Sequence, residues 1–140
     1  MNNVNLQIYS FGFDTGLSFL DKLRKAGELG FSGVELIRDY DGVPAGDVVK
    51  VLEETGIKAV SAHVSLEFIE QDLPYLAQLG VKYVACPNAP FSTAQEAKEV
   101  AEELNRLGKL AKEYGITIGY HNHTNEFYVD EGKYLLDWVI

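Results

Sequence analysis

The sequence predicts an α/β fold in which β-strands and α-helices alternate along a parallel sheet. At four places a glycine follows a helix-like segment and precedes a β-rich run. Glycine commonly ends helices because it adopts the left-handed conformation without a Cβ clash. The runs that follow have apolar bodies, which suits strands buried on both faces. The four junction glycines are Gly30, Gly56, Gly80 and Gly115.

Five segments are predicted strands, and the first of them has the same apolar character without a preceding glycine junction. A single helix-like segment separates each strand from the next, and such connections join parallel strands. The predicted strands are Val4–Ser10, Phe31–Ile37, Ile57–Val64, Val81–Asn88 and Ile116–His123.

The segments between the strands carry apolar residues at helical spacing. The longest of them begins near Ser92 and Thr93, with Glu96 in the register of a capping box. Pro74 predicts a kink or a late start in the third helix. Apolar stripes predict helices within residues 17–29, 48–52, 69–79, 97–110 and 134–140.

Length and composition limit the classes of function. A chain of 140 residues predicts a single domain, residues 1–140. A net charge of −9 argues against a nucleic-acid partner, since phosphate contacts need clustered lysine and arginine. Cys86 is the only cysteine, so no intrachain disulfide forms and a reducing compartment is favoured. Without a signal-peptide pattern or an apolar run of roughly 18 residues, we expect a cytoplasmic protein with no membrane partner.

Two parallel architectures fit this alternation, an open doubly wound sheet and part of a (β/α)8 barrel. A doubly wound sheet would favour a G-x-G-x-x-G loop after the first strand, and Ser10–Gly16 lacks that spacing. Polar residues at the ends of several consecutive strands favour the barrel, because the carboxyl ends of all its strands lie around one opening of the barrel. We therefore predict a partial barrel of about five β/α units, completed by oligomerisation.

The polar residues at these strand ends form the candidate site. His121 and His123 are two residues apart and can point to the same side, with Glu126 just past the strand. Imidazole and carboxylate groups bind Zn, Mn or Co and also act as general bases. The alternative for each residue is a hydrogen-bonded structural role at the rim. The other candidates are Tyr9, Glu35, His63 and Asn88.

The segments Leu6–Ser10, Gly30–Glu35, Val60–Val64 and Gly119–Phe127 resemble the xylose-isomerase-like sugar phosphate isomerase/epimerase family. The resemblance extends from about Val4 to Ile140. It implies a TIM barrel that binds a divalent metal, Mn, Mg, Co or Zn. It also implies isomerisation or epimerisation of a sugar or sugar phosphate through an enediolate.

The resemblance supports a role for each candidate side chain at the mouth of the barrel. Glu126 and Glu35 are the predicted catalytic carboxylates, and Glu126 and His123 are the predicted metal ligands. The predicted substrate-binding residues are His63, His121, Tyr9 and Asn88.

Two departures from the family pattern qualify this interpretation. The usual metal ligands come from strands five to eight, and this sequence has five predicted strands. The strand-five position that is a metal-binding glutamate in many epimerases is Tyr120 or His121 here. We therefore expect an isolated monomer to be inactive as an isomerase, and a homodimer to cover the unpaired edges. The alternatives are a fragment of a longer barrel, or a non-catalytic half-barrel that binds a small polyol or a partner subunit.

Overall fold

The computed structural model describes residues 4–12, 15–87 and 89–140. Five strands form one sheet, and each strand pairs in parallel with the next strand along the chain. The prediction of an α/β fold of partial-barrel type is therefore confirmed. Among the described residues the first and last strands do not pair with each other, so the sheet stays open. The strands are β1 (Asn5–Gln7), β2 (Gly33–Ile37), β3 (Lys58–His63), β4 (Tyr83–Cys86) and β5 (Thr117–Tyr120).

The helices begin and end at signals that the sequence carries. Thr93 and Glu96 form the predicted capping box, in which each side chain accepts from the backbone N–H of the other residue. The four junction glycines all have positive φ, between 69° and 83°. Pro74 lies inside the third helix, so the predicted late start is wrong. The helices are α1 (Phe19–Glu28), α2 (Ala45–Thr55), α3 (Ile69–Gln78), α4 (Ala94–Glu113) and α5 (Leu136–Val139).

The hydrophobic core lies between one face of the sheet and helices α1 to α4. We call this the outer face of the sheet; Val34, Leu36 and Val84 on it are at most 1% exposed. The alternate residues of the same strands point to the opposite, inner face. The inner-face residues used below are Gln7, Glu35, Ile37, Ser61 and His63.

The inner face differs from the expectation that the strands are buried on both faces. Its residues are only partly buried, and several of them are polar. The apolar runs indicated the outer face correctly, but period-two alternation places Glu35, Ser61 and His63 on the other side. The inner face is therefore a polar surface rather than a second core.

Two local features differ from the sequence prediction. Strand β1 ends at Gln7, and Ile8–Phe11 forms a 3-10 turn in which Gly12 N–H donates to the carbonyl of Tyr9. After β5, a short hairpin of β6 (Val129–Asp130) and β7 (Lys133–Tyr134) precedes α5. In the part of the chain that the structure describes, no helix has the length and apolar character that crossing a membrane requires.

Candidate functional site

Glu35 is the centre of a polar network on the inner face. Its Oε1 accepts a hydrogen bond from Gln7 Nε2 at 2.8 Å, and its Oε2 accepts one from Ser61 Oγ at 2.6 Å. His63 Nε2 lies 3.3 Å from Glu35 Oε1. These contacts join three neighbouring strands, and they meet the requirement that a partly buried carboxylate be paired.

The register of the strands brings this network together. Glu35 is paired with Gln7 on β1 and with Ser61 on β3. The β2–β3 register shifts by one residue between Val34 and Glu35, which places Ser61 opposite the carboxylate. Gly33 allows the close approach, since a Cβ there would lie 2.8 Å from the Lys58 carbonyl oxygen. A local irregularity of the sheet therefore positions the polar side chains.

Three histidine rings lie in a row from the inner face to the rim of the sheet. The ring centroids of His63 and His121 are 4.8 Å apart, and those of His121 and His123 are also 4.8 Å apart. His121 N–H donates to the Cys86 carbonyl at 2.9 Å, which ties the residue after β5 to the end of β4. The structure thus brings together three residues that the sequence named as site candidates.

Burial controls the charge of His63. Its side chain is 14% exposed, and this desolvation lowers the pKa of the imidazole below its ordinary value. The charge of Glu35 raises the pKa by a smaller amount, while the charges of His121 and His123 lower it further. His63 is therefore a neutral imidazole at neutral pH and is able to accept a proton.

Glu126 is buried just beyond the histidine row, with 6% of its surface exposed. Tyr120 Oη donates to its Oε1 at 2.7 Å, and the backbone N–H of His123 donates to its Oε2 at 2.9 Å. Burial alone would raise the pKa of Glu126, but these hydrogen bonds lower it below its ordinary value. At neutral pH Glu126 is an ionised carboxylate with a protein donor on each oxygen.

Cavities occur at both ends of the sheet. One of about 270 Å³ lies beside Glu126 and is lined by Pro90, Phe91, His123 and Asn125. A larger and mostly apolar cavity of about 630 Å³ surrounds the start of β3 at the opposite end. Active sites of parallel barrels lie at the carboxyl ends of the strands, so we assign the site to the end that carries Glu126.

Comparison with known proteins identifies the family. A family model described as a xylose isomerase-like TIM barrel matches residues 23–139. The chain belongs to the xylose isomerase-like TIM barrel family.

The chain is also similar to individual proteins and solved structures. An inosose dehydratase from Erwinia tasmaniensis is 31% identical over 121 residues, covering 67% of this chain and 40% of that protein. A sugar phosphate isomerase/epimerase structure from Parabacteroides distasonis is 28% identical with a TM-score of 0.80, covering 97% of this chain and 63% of that one. A second such structure from the same organism is 24% identical with a TM-score of 0.82, covering 98% and 62% respectively. The chain thus spans less than two thirds of the length of these relatives.

The described residues do not fit a metal ion of the kind predicted for this xylose isomerase-like chain. No three histidine, cysteine, aspartate or glutamate side chains within them are arranged to hold one. The Glu126 carboxylate accepts a hydrogen bond from the backbone N–H of His123. A catalytic metal usually needs three protein ligands, so we derive no step through a metal. The assignment of His123 and Glu126 as metal ligands stays a prediction.

The other two predicted substrate-binding residues are Tyr9 and Asn88. Tyr9 lies on the 3-10 turn after β1 and not on the strand itself, and it is 53% exposed. Asn88 lies outside the described residues. Both assignments stay predictions.

Sequence reasoning missed Gln7 and Ser61, which donate to Glu35. A usable signal was present for Ser61, because it precedes His63 by two residues in the same predicted strand. Residues two apart on a strand share a face. Applying that rule to the strand ends would have identified Ser61 beside His63.

Proposed function

We propose that this chain forms the first part of the active site of a sugar or sugar phosphate isomerase or epimerase. The reaction is proton transfer at a carbon beside the substrate carbonyl, through an enediolate. The pair formed by Glu35 and His63 supports the proposal most directly, because a carboxylate beside a neutral imidazole is suited to general acid–base chemistry. The family and its sugar-processing members support the substrate class.

The hydrogen bonds around His63 indicate how the pair would work. With Nε2–H directed at Glu35 Oε1, the lone pair of the imidazole is on Nδ1. Nδ1 accepts a long hydrogen bond of 3.4 Å from Gln7 Nε2, which the substrate must displace before Nδ1 can take its proton. His63 takes the proton from the carbon, and the Glu35 carboxylate stabilises the resulting imidazolium. In isomerisation the imidazolium then returns the proton to the neighbouring carbon, while the proton of the adjacent hydroxyl group moves to the former carbonyl oxygen. Epimerisation instead needs a second acid on the opposite face of the enediolate.

The same residues offer hydrogen bonds to substrate hydroxyl groups. His121 and His123 extend the row of imidazoles toward the rim and the cavity of about 270 Å³. Tyr9 and Asn88 remain our candidates for further substrate contacts. We propose that these side chains orient the sugar while the pair of Glu35 and His63 moves the proton.

Hydrogen–deuterium exchange tests the proton transfer. The chain is incubated in D2O with a panel of aldoses, ketoses and their phosphates, and deuterium at carbon is measured by NMR. We expect Glu35→Gln to slow exchange about 10²-fold or more. The control Asp47→Asn, which removes an exposed carboxylate on α2, should leave the rate unchanged. Equal rates for Glu35→Gln and the native chain would overturn the assignment.

The state of association decides which form of the protein to assay. In the part of the chain that the structure describes, no strand pairs with the outer edge of β1 or of β5, which favours a homodimer in which the edges of two chains are covered. We propose that the isolated monomer is not an isomerase, because other strands must complete the site. Light scattering on a sizing column gives the mass, and full exchange activity in a monomer peak would contradict this point. Cell fractionation tests the proposed cytoplasmic location.

Dehydration is a second candidate reaction, favoured by the 31% identity to an inosose dehydratase. It begins with the same removal of a proton beside a carbonyl and continues by expelling a hydroxyl group as water. Mass spectrometry of the product distinguishes the two reactions, since isomerisation leaves the mass of the sugar unchanged. Sugar binding with neither exchange nor loss of water would favour a non-catalytic half-barrel that binds a polyol.

A further inference from the structure

Glu126 holds its charge differently from the other buried acid among the described residues. Asp72 is 5% exposed and lies 3.0 Å from Arg38 Nε, so a cation faces it. Glu126 is 6% exposed, and the described residues place no lysine or arginine in an ion pair with it. Its partners are a hydroxyl and a backbone N–H instead. Burial of such a group costs free energy unless its hydrogen bonds are satisfied, and here both oxygens have donors.

The two donors and Glu126 all belong to the segment that carries His121 and His123. Tyr120 is the last residue of β5, and Glu126 lies in the 3-10 turn Asn125–Phe127. The second hydrogen bond reaches back to the backbone of His123 between them. Burial and the Glu126 hydrogen bond raise the pKa of Tyr120, so its hydroxyl stays protonated and donates. The carboxylate therefore closes residues 120–126 into a short loop.

The start of this loop is also fixed. His121 N–H donates to the carbonyl of Cys86, and the Tyr120 ring lies 6.2 Å from that of Phe91, centroid to centroid. With both ends held, the backbone that carries His121 and His123 has little freedom. The two imidazole rings then lie against each other and against His63 at centroid separations of 4.8 Å.

We propose that Glu126 is a positioning residue that holds His121 and His123 in the row beside His63, and that it is not a proton-transfer group or a metal ligand. The catalytic importance of the histidine row rests on the proposed function, but the position of the histidines can be tested without a catalytic assay. It also explains why a buried carboxylate stands next to the site with its oxygens directed at the protein.

The variant Glu126→Gln separates the two roles. A glutamine amide can accept from His123 N–H through its oxygen and donate to Tyr120 Oη through its nitrogen, because a phenol hydroxyl both donates and accepts. A positioning role is therefore retained in Glu126→Gln and lost in Glu126→Ala. A proton-transfer role or an anionic ligand role is lost in both variants.

Contacts between the histidine rings are the first readout. We expect NMR cross-peaks between the rings of His63 and His121 in the native chain and in Glu126→Gln, and their loss in Glu126→Ala. Glu96→Ala is the matched control, because the Glu96 carboxylate also accepts backbone N–H groups, at Ser92 and Thr93 in the N-terminal cap of α4. It should lower the melting temperature and leave the ring contacts unchanged. Ring contacts that survive in Glu126→Ala would overturn the proposal.

The rate of deuterium exchange is the second readout. We expect Glu126→Gln to stay within about threefold of the native rate, and Glu126→Ala to fall about 10²-fold through misplacement of the row. A loss of the same size in Glu126→Gln, with ring contacts intact, would show that Glu126 takes part in the reaction and would overturn the positioning role. If the associated form of the native chain shows no exchange at all, the proposed function fails, and the ring contacts still decide whether Glu126 positions the row.

Discussion

The outer and inner faces of the sheet are built from alternating residues of the same strands, yet they differ in almost every physical property. On β2, Val34 and Leu36 are fully buried against the helices, while Glu35 and Ile37 between them are only partly buried. The outer face is apolar and packed by α1 to α4. The inner face carries a carboxylate with three polar partners.

This contrast shows how one strand can support stability and chemistry at once. Packing on the outer face removes apolar surface from water, the main stabilising contribution in a domain of this size. The polar groups of the inner face gain little net stability from hydrogen bonds that water could also make. Substitutions on the outer face should therefore affect folding, and substitutions on the inner face should affect the site.

The largest expected effect is that of Leu36→Ala on the outer face. Leu36 is 0% exposed and belongs to the main core cluster. Removing a buried leucine side chain in this way costs about 2–5 kcal/mol, which includes the cavity that is left behind. Urea unfolding followed by circular dichroism measures the change in the free energy of unfolding.

The neighbouring residue Ile37 provides the matched control on the inner face. Its side chain is only partly buried, so Ile37→Ala should cost less, about 1–2 kcal/mol. Equal losses for Leu36→Ala and Ile37→Ala would mean that the inner face is covered in solution. Such a result would point to association of chains through that face.

Much of the fold could be predicted because its signals are local. The junction glycines Gly30, Gly56, Gly80 and Gly115 end helices through their own left-handed backbone. The capping box of Thr93 and Glu96 lies within four residues. Strand–helix alternation then left few topologies to consider.

The contacts on the inner face and the short loop of residues 120–126 could not be predicted from such local signals. The contact between Glu35 and Ser61 depends on a register shift between β2 and β3, which are separated in sequence by helix α2. The partners of Glu126 are set by how the loop after β5 folds back onto Tyr120. The apolar run continues through Ile8 and therefore predicts a strand over Tyr9, whereas the chain turns there.

An intermediate effect is expected for Glu35→Gln, measured as the pKa of His63. The Glu35 charge raises the pKa of His63 against the larger lowering by burial. Removing that charge should therefore lower the pKa of His63 further, so that the imidazole stays neutral to a lower pH. An NMR titration of the imidazole carbon-bound protons measures this shift. A pKa that rises or stays constant would show that the two side chains are not coupled in solution.

The smallest effect is expected for Ser61→Ala, on the same network. The variant removes the hydrogen bond of 2.6 Å to Glu35 Oε2 but keeps the bond from Gln7 to Oε1. The Glu35 side chain is 28% exposed, so water can replace the lost hydroxyl. We expect a change of about 1 kcal/mol or less in the free energy of unfolding, well below that of Leu36→Ala. A loss as large as that of Leu36→Ala would mean that the polar inner face stabilises the sheet as strongly as the core does, and the division between the two faces would then be wrong.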